Sequence, residues 1–365
     1  MQKIQQMKTP ILLTIMQAVL IGTGLSASAA NLDLSPWISS GQGTAGDSYE
    51  LQQNPMAGPQ STRADNLFTS MEVRHEGEIR VSDDDRSIRS ISPGGYLKIG
   101  YRTFGNNREL LINSDRAGNL SYEFHEGRKE IPFEPEGRKW LESVLLDVVR
   151  SSGIDAEGRT ARFYTQQGMD GFIGEISRIN SNSVQAKYFN VLLSEHELDK
   201  HELIKTADAI SRNMSSASAR GKLFREHADK FQVDSEVAVS YFNALSRISS
   251  SSEKGRVYRN IERPLDFSDP ALVDAYFSGI DGISSDSESG SVLRHTIAYQ
   301  SLPNKAMVVM LESVSRLSSN SEAGRVLRSL GEIDLTDPEI MAAYFQAVDH
   351  LNSSSEAGSV LRNLL

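Results

Sequence analysis

The strongest constraint on how this chain can fold is that it repeats itself. One eight-residue phrase appears as Ser250-Ser251-Ser252-Glu253-Lys254-Gly255-Arg256-Val257 and again as Ser285-Asp286-Ser287-Glu288-Ser289-Gly290-Ser291-Val292. It returns as Ser319-Asn320-Ser321-Glu322-Ala323-Gly324-Arg325-Val326 and Ser353-Ser354-Ser355-Glu356-Ala357-Gly358-Ser359-Val360. A weaker copy surrounds Gly221, and a weaker one still has Ala186 in the glycine's place. The positions 186, 221, 255, 290, 324 and 358 lie 35, 34, 35, 34 and 34 residues apart. An interval held this closely marks an array in which each period is one supersecondary unit.

Each unit reads as two antiparallel helices. Ser250, Ser285, Ser319 and Ser353 each stand three residues before a glutamate, the capping-box pattern that satisfies orphan backbone donors at a helix start. Upstream lie the apolar pairs Phe172-Ile173, Tyr241-Phe242, Tyr276-Phe277, Met310-Leu311 and Tyr344-Phe345, which belong to a preceding helix. That helix has its own start signal in Asp269-Pro270 and Asp337-Pro338, with Asp as cap and Pro in the first turn. The glycines Gly221, Gly255, Gly290, Gly324 and Gly358 sit one turn into the second helix, where each costs roughly 1 kcal/mol relative to alanine. The expected reason is close approach, either by an adjacent unit's helix or by the aromatic pair of the unit's own first helix.

Four residues after these glycines stand Arg225, Arg259, Arg294, Arg328 and Arg362, and Arg162 stands four after Gly158. Gly158 follows a helix-like run, Trp140-Leu141-Val144-Leu145-Val148, which reads as a divergent opening unit. Because one pair cannot bury its own apolar face, stacking is required. The expected fold class is α+β, with a small antiparallel sheet followed by an α/α superhelix of about seven pairs over residues 134–365. The period equals that of tetratricopeptide repeats, but their Trp, Gly, Tyr and Ala spacings are not matched, so the stack resembles a divergent HEAT-type array.

Ahead of the array, residues 67–133 alternate apolar and polar positions between turns, as in Ile79-Val81, Leu110-Ile112 and Leu120-Tyr122-Phe124. Turns fall at Pro93-Gly94-Gly95, Gly105-Asn106-Asn107, Ala117-Gly118-Asn119 and Glu126-Gly127, and a meander of about five strands fits this spacing. Residues 31–66 are rich in Ser, Gly, Gln and Pro and read as a flexible leader, with Trp37 as its one large apolar side chain. Residues 1–30 carry Lys3 and Lys8, an apolar run from Ile11 to Ile21 and small residues up to Ala30. That is the design of a cleaved signal peptide, with an apolar run too short to span hydrocarbon. The expected location is therefore the periplasm or the extracellular space.

The chain has no cysteine, which excludes disulfides, thiolate metal sites and a cysteine nucleophile. Its formal charge of −10 argues against a general affinity for nucleic acid or acidic membranes, since both need clustered Lys and Arg. The recurring phrase, together with Ser90-Ile91-Ser92-Pro93-Gly94-Gly95-Tyr96-Leu97, resembles a family of exported bacterial proteins. Related segments lie behind membrane-embedded metallopeptidases of the penicillin-sensing type. The resemblance covers residues 72–365 and implies extracytoplasmic sensing or scaffolding. The peptidase portion and its zinc motif are absent here, so it implies no enzymatic role.

Other clusters resolve into blander readings. His196 and His201 are five apart, which turns the two rings away from each other on a helix. Asp83-Asp84-Asp85 lacks the alternate spacing and distal Glu of a calcium loop and reads as an exposed acidic turn. The phrase serines recur at helix starts, which makes them caps rather than nucleophiles. Two readings compete for the arginine column: a ladder of pairs with acids or carbonyls of the next unit, or a line of contacts to an acidic or extended ligand. The many carboxylates of this chain favour the ladder.

The resulting expectation is a non-catalytic interaction or scaffold protein that takes a protein or peptide partner and needs no cofactor or metal. A sensory module for envelope stress is the alternative from the resemblance. A hydrolase of envelope polymers using Glu195, Glu197 and Asp199 is the third. The apolar Leu364-Leu365 points to a homodimer through the last repeat, since a terminal repeat normally carries a polar outer face.

Overall fold

Alternating apolar residues in the first part of the chain place one set of side chains on one face of a sheet. In the computed structural model, which describes residues 58–65, 69–103, 105–331 and 333–364, that face is built by six antiparallel strands. These are β1 (Gln60–Asp65), β2 (Thr69–Glu76), β5 (Tyr96–Thr103), β6 (Asn106–Ser114), β7 (Leu120–Glu126) and β8 (Lys129–Ile131), adjacent in that order. The strands β3 (Ile79–Val81) and β4 (Ile88–Ile91) form a separate hairpin. The signal-peptide reading, Trp37 and most of the expected leader lie outside the described residues.

Register brings Val73 opposite Ile99, and Leu97 and Ile99 opposite Ile112 and Leu110. These five residues and Phe124 are buried, and helix α1 (Arg138–Ser152) covers them with Trp140, Leu141, Leu145 and Val148. Each such side chain contributes roughly 1.5–3 kcal/mol on burial. The described strands number eight where the spacing suggested about five, and β1 begins at Gln60, inside the stretch read as leader. Its sequence, QSTRAD, has no apolar alternation because it is a polar edge strand that, among the described residues, pairs with β2 alone. An edge of this kind leaves no hydrophobic signature to read.

Beyond the sheet the chain is helical. A π-helical turn (Phe133–Gly137) leads into α1, which Gly153 terminates in the left-handed region at φ 68°. Helix α2 (Ala156–Ile176) is broken at Gly168, where φ is 66° and ψ −168°. It is followed by α3 (Asn182–Glu195), α4 (Lys200–Asn213), α5 (Ala217–Glu226), α6 (Ala228–Phe231), α7 (Ser235–Ser246) and α8 (Ser251–Tyr258). Then come α9 (Pro270–Asp281), α10 (Asp286–Tyr299), α11 (Asn304–Ser315), α12 (Asn320–Ser329), α13 (Pro338–Asp349) and α14 (Ser354–Arg362). None of the described helices is long and apolar enough to cross a membrane.

Neighbours in space are not neighbours in sequence. Helices α4, α7, α9, α11 and α13 pack one on the next, and so do α3, α5, α8, α10, α12 and α14. Between the two rows the aromatic residues interlock: Phe242 meets Tyr276 with ring centroids 4.9 Å apart and Tyr258 meets Tyr276 at 5.1 Å. The hydroxyls are satisfied inside this core, Tyr258 donating to the Tyr276 carbonyl at 3.0 Å and Tyr276 lying 2.8 Å from Thr296 Oγ1. The aromatic pairs are internal as far as Tyr344, but Phe345 is 41% exposed.

The hairpin β3–β4 is held to the helices by buried charge. Asp85, read from sequence as part of an exposed acidic turn, is buried at φ 56° and accepts from Arg159 Nε at 3.0 Å and Nη2 at 2.9 Å. Arg162 Nη2 reaches the same carboxylate at 2.6 Å. Arg159 is fully buried, also donates to Glu175 at 2.8 Å and bonds the Tyr188 hydroxyl, while Arg150 forks onto Glu175 at 2.9 and 2.8 Å. On the flank, Asp155 accepts from Arg80 Nη1 and the Val81 amide, both at 3.0 Å. Burial by itself would raise the Asp85 carboxyl, but the bonds and charge of Arg159 and Arg162 outweigh it and hold the group below its ordinary range. Glu175 is lowered by the same balance, against burial, through Arg150 and Arg159. Turn polarity alone could not reveal this, because the partners lie more than seventy residues away in sequence.

Two outcomes are expected. Arg159→Met leaves carboxylates in a dry site, and urea unfolding should show a loss of about 3–5 kcal/mol. His75 on β2 is pushed down to about 4, first by burial and second by the charge of Lys187, and its Nδ1 has no hydrogen-bond partner. It stays neutral in the fold while the unfolded chain protonates near the ordinary value of 6.5. Its contribution is therefore complete above pH 6.5 and is lost as pH falls toward about 4, by up to about 3 kcal/mol. Unfolding curves across that window should flatten in His75→Gln.

A candidate interaction surface built on an arginine–glutamate ladder

The glutamates of the recurring phrase have two possible partners, the helix start they belong to and the pair that precedes them. Ser250, Ser285, Ser319 and Ser353 each accept a hydrogen bond from the glutamate amide three residues on, at 3.3 or 3.4 Å. That is half of a capping box. The glutamate carboxylates turn toward the preceding pair instead and meet the arginine column. Arg225 donates to Glu253 at 3.0 Å, Arg259 to Glu288 at 2.7 Å, Arg294 to Glu322 at 3.0 Å and Arg328 to Glu356 at 2.8 Å. Each rung ties one second-row helix to the next. The arginine side chains are between 26% and 32% exposed, so the pairs are screened less than surface pairs.

This arrangement supplies the reason for the glycines. A Cβ added at Gly221, Gly290 or Gly324 would come within 2.8, 2.9 or 2.5 Å of the Glu253, Glu322 or Glu356 carboxylate, and at Gly255 it would press on Glu288. The space is occupied by an ion pair whose glutamate reaches over from the next unit's second helix, in line with the first of the two sequence expectations and not with approach of the aromatic pair. At Gly358 the only neighbour is the Arg362 guanidinium at 3.5 Å, and Arg362 has no partner among the described residues. Arg162, in the opening unit, plays its part toward the hairpin, through Asp85.

Further rungs reinforce the register. After three of the caps the next residue reaches the backbone at or just before the following cap: Asn182 Oδ1 accepts from the Ser215 and Ser216 amides at 2.7 and 2.9 Å, Asp286 from Ser319 at 2.8 Å and Asn320 from Asn352 at 2.9 Å. In the first row, Arg247 donates to Ser211 Oγ at 3.1 Å, and Arg316 pairs with Asp281. Sequence reading missed these contacts, although the constant spacing from each cap carries the signal.

The same spacing leaves Asn243, Ser278, Glu312 and Gln346 exposed on α7, α9, α11 and α13, one on each. They form a regular polar line on helices whose Tyr241, Tyr276, Met310 and Tyr344 are buried in the core. The other sequence candidates do not converge. His196 ends α3 and His201 lies in the first turn of α4, where Asp199 and Glu202 form a complete capping box with bonds of 2.9 and 3.0 Å. Glu195 and Glu197 are exposed beside it. No group of three His, Cys, Asp or Glu side chains among the described residues has the placement to hold a metal ion.

No family model, curated protein or solved structure matches the chain.

The ladder makes an asymmetric prediction. Gly358→Ala makes no more than an ordinary contact with Arg362 at 3.5 Å and should gain the helix-propensity difference, about 1 kcal/mol. In Gly324→Ala the Glu356 carboxylate must leave Arg328, so the same gain should be cancelled or reversed. Thermal melts of the two variants, compared with Glu356→Gln, measure the difference.

Proposed function

We propose that this chain is an exported, non-catalytic interaction protein. In this reading its helical pairs form an α/α superhelix of about seven repeats that holds a protein or peptide partner. The observation that carries it is the fixed register of successive pairs. Four Arg–Glu rungs lock neighbours at one spacing, so any side chain at a constant distance from the caps recurs along a line. Asn243, Ser278, Glu312 and Gln346 are such a line, exposed and free of obligations to the core. A regular row of hydrogen-bonding side chains on a preorganised scaffold suits an extended chain, which then supplies most of the ordering cost. The pattern at residues 1–30 supports export.

Photo-crosslinking residues placed at 243, 278 and 312, one at a time, in cells exporting the protein test this reading. One envelope protein should be captured from all three positions, at sites that progress along its sequence as the probe moves along the row. Capture from none of them, with equal capture from a control probe on the sheet, overturns it.

A further inference from the structure

The last described pair, α13–α14, repeats the design of its predecessors but exposes what they bury. Phe345 stands where Phe277 and Leu311 stand and is 41% exposed against 1% and 0%. Leu361 stands where Leu293 and Leu327 stand and is 39% exposed against 0% and 2%. Met341, in the place of Val273, is 42% exposed against 5%. In the earlier pairs this face receives the next pair. Among the described residues nothing covers it here.

The polar contacts of the face are also half made. Arg362 beside Gly358 is the donor half of a rung that is filled at Arg225, Arg259, Arg294 and Arg328. Asp349 occupies the position of Asp281, twelve residues after its cap, and Asp281 is the acceptor half of the rung made by Arg316. Asp349 is exposed and has no ion pair among the described residues. Among those residues the face therefore offers one unpaired cation and one unpaired anion around an apolar stripe.

We propose that this face is covered by a second copy of the same chain, in a closed two-fold dimer. An isologous contact requires that residue i meet residue j of the partner and j meet i. A face with only the open arginine would offer it no complementary charge on the second copy. With Asp349 present it can: Arg362 of each copy meets Asp349 of the other, and Phe345, Met341 and Leu361 are buried between. A head-to-tail contact is disfavoured by the same chemistry, since the phrase glutamates that would fill the Arg362 notch, Glu253, Glu288, Glu322 and Glu356, already pair within their own chain. The inference goes beyond the interaction reading and is independent of it: it rests on the register of the pairs and on no partner for the row at 243, 278 and 312.

Sedimentation velocity on the purified full chain, from nanomolar to high micromolar concentration, tests it with two charge reversals. The unchanged protein should sediment as a dimer. Arg362→Glu sets a carboxylate against Asp349 of the second copy, and Asp349→Arg sets a guanidinium against Arg362 of that copy. Like charges then meet across the two-fold axis, so each reversal alone should weaken the dimer by roughly tenfold or more. In a dimer of one variant with the other, one rung is attractive in reversed sense and the second is the unaltered Arg362–Asp349 pair, so dimers containing one of each should be restored. Phe345→Glu should yield monomers with an unaltered circular dichroism spectrum, which separates loss of the contact from loss of the fold. A protein monomeric at every concentration overturns the proposal and assigns the face to a different occupant. So does a dimer indifferent to the reversals, or one not restored by mixing.

Discussion

A helix pair of this composition has an apolar face it cannot cover by itself, and that deficit organises the protein. Tyr241, Phe242, Tyr276 and Phe277 reach near-zero exposure only because helices from consecutive pairs close over them. Burial of that kind is strong but has no direction, and it would tolerate a sliding contact. The Arg–Glu rungs add the direction. A carboxylate that must lie over a glycine and within 3.0 Å of a guanidinium fixes the neighbouring helix in one register.

The glycine thereby acquires a role outside its own helix. It weakens the local segment by the usual entropic cost and allows a contact with the following one. The position where this trade is not made shows its logic: at Gly358 no carboxylate approaches, and a side chain there would meet only the Arg362 guanidinium at 3.5 Å. The opening of the array is handled differently, by a dry cluster in which Arg150, Arg159 and Arg162 neutralise Asp85 and Glu175 and join the β3–β4 hairpin to the helices. Such a cluster often contributes no more to net stability than well-packed apolar residues of similar volume would, yet breaking it leaves an uncompensated buried charge. The exposed cap-spaced row and the α13–α14 face are two surfaces whose side chains are left open among the described residues.

The periodic phrase by itself determined where the second-row helices start and which residues cap them, and the alternation in residues 67–133 determined that a small antiparallel sheet precedes them. These are local matters: a serine accepting from an amide three residues on, or an apolar residue every second position, needs no distant partner. The strand β1 escaped because a polar edge has no pattern, and the hairpin acid Asp85 was misjudged because its arginines lie in another element. Only the tertiary structure decided what the phrase glutamates and glycines are for. The carboxylate could have closed a capping box on its own helix. It crosses to the preceding one instead, because stacking brings a guanidinium within charge-assisted hydrogen-bonding distance, and such a bond is stronger than one to a backbone amide open to water.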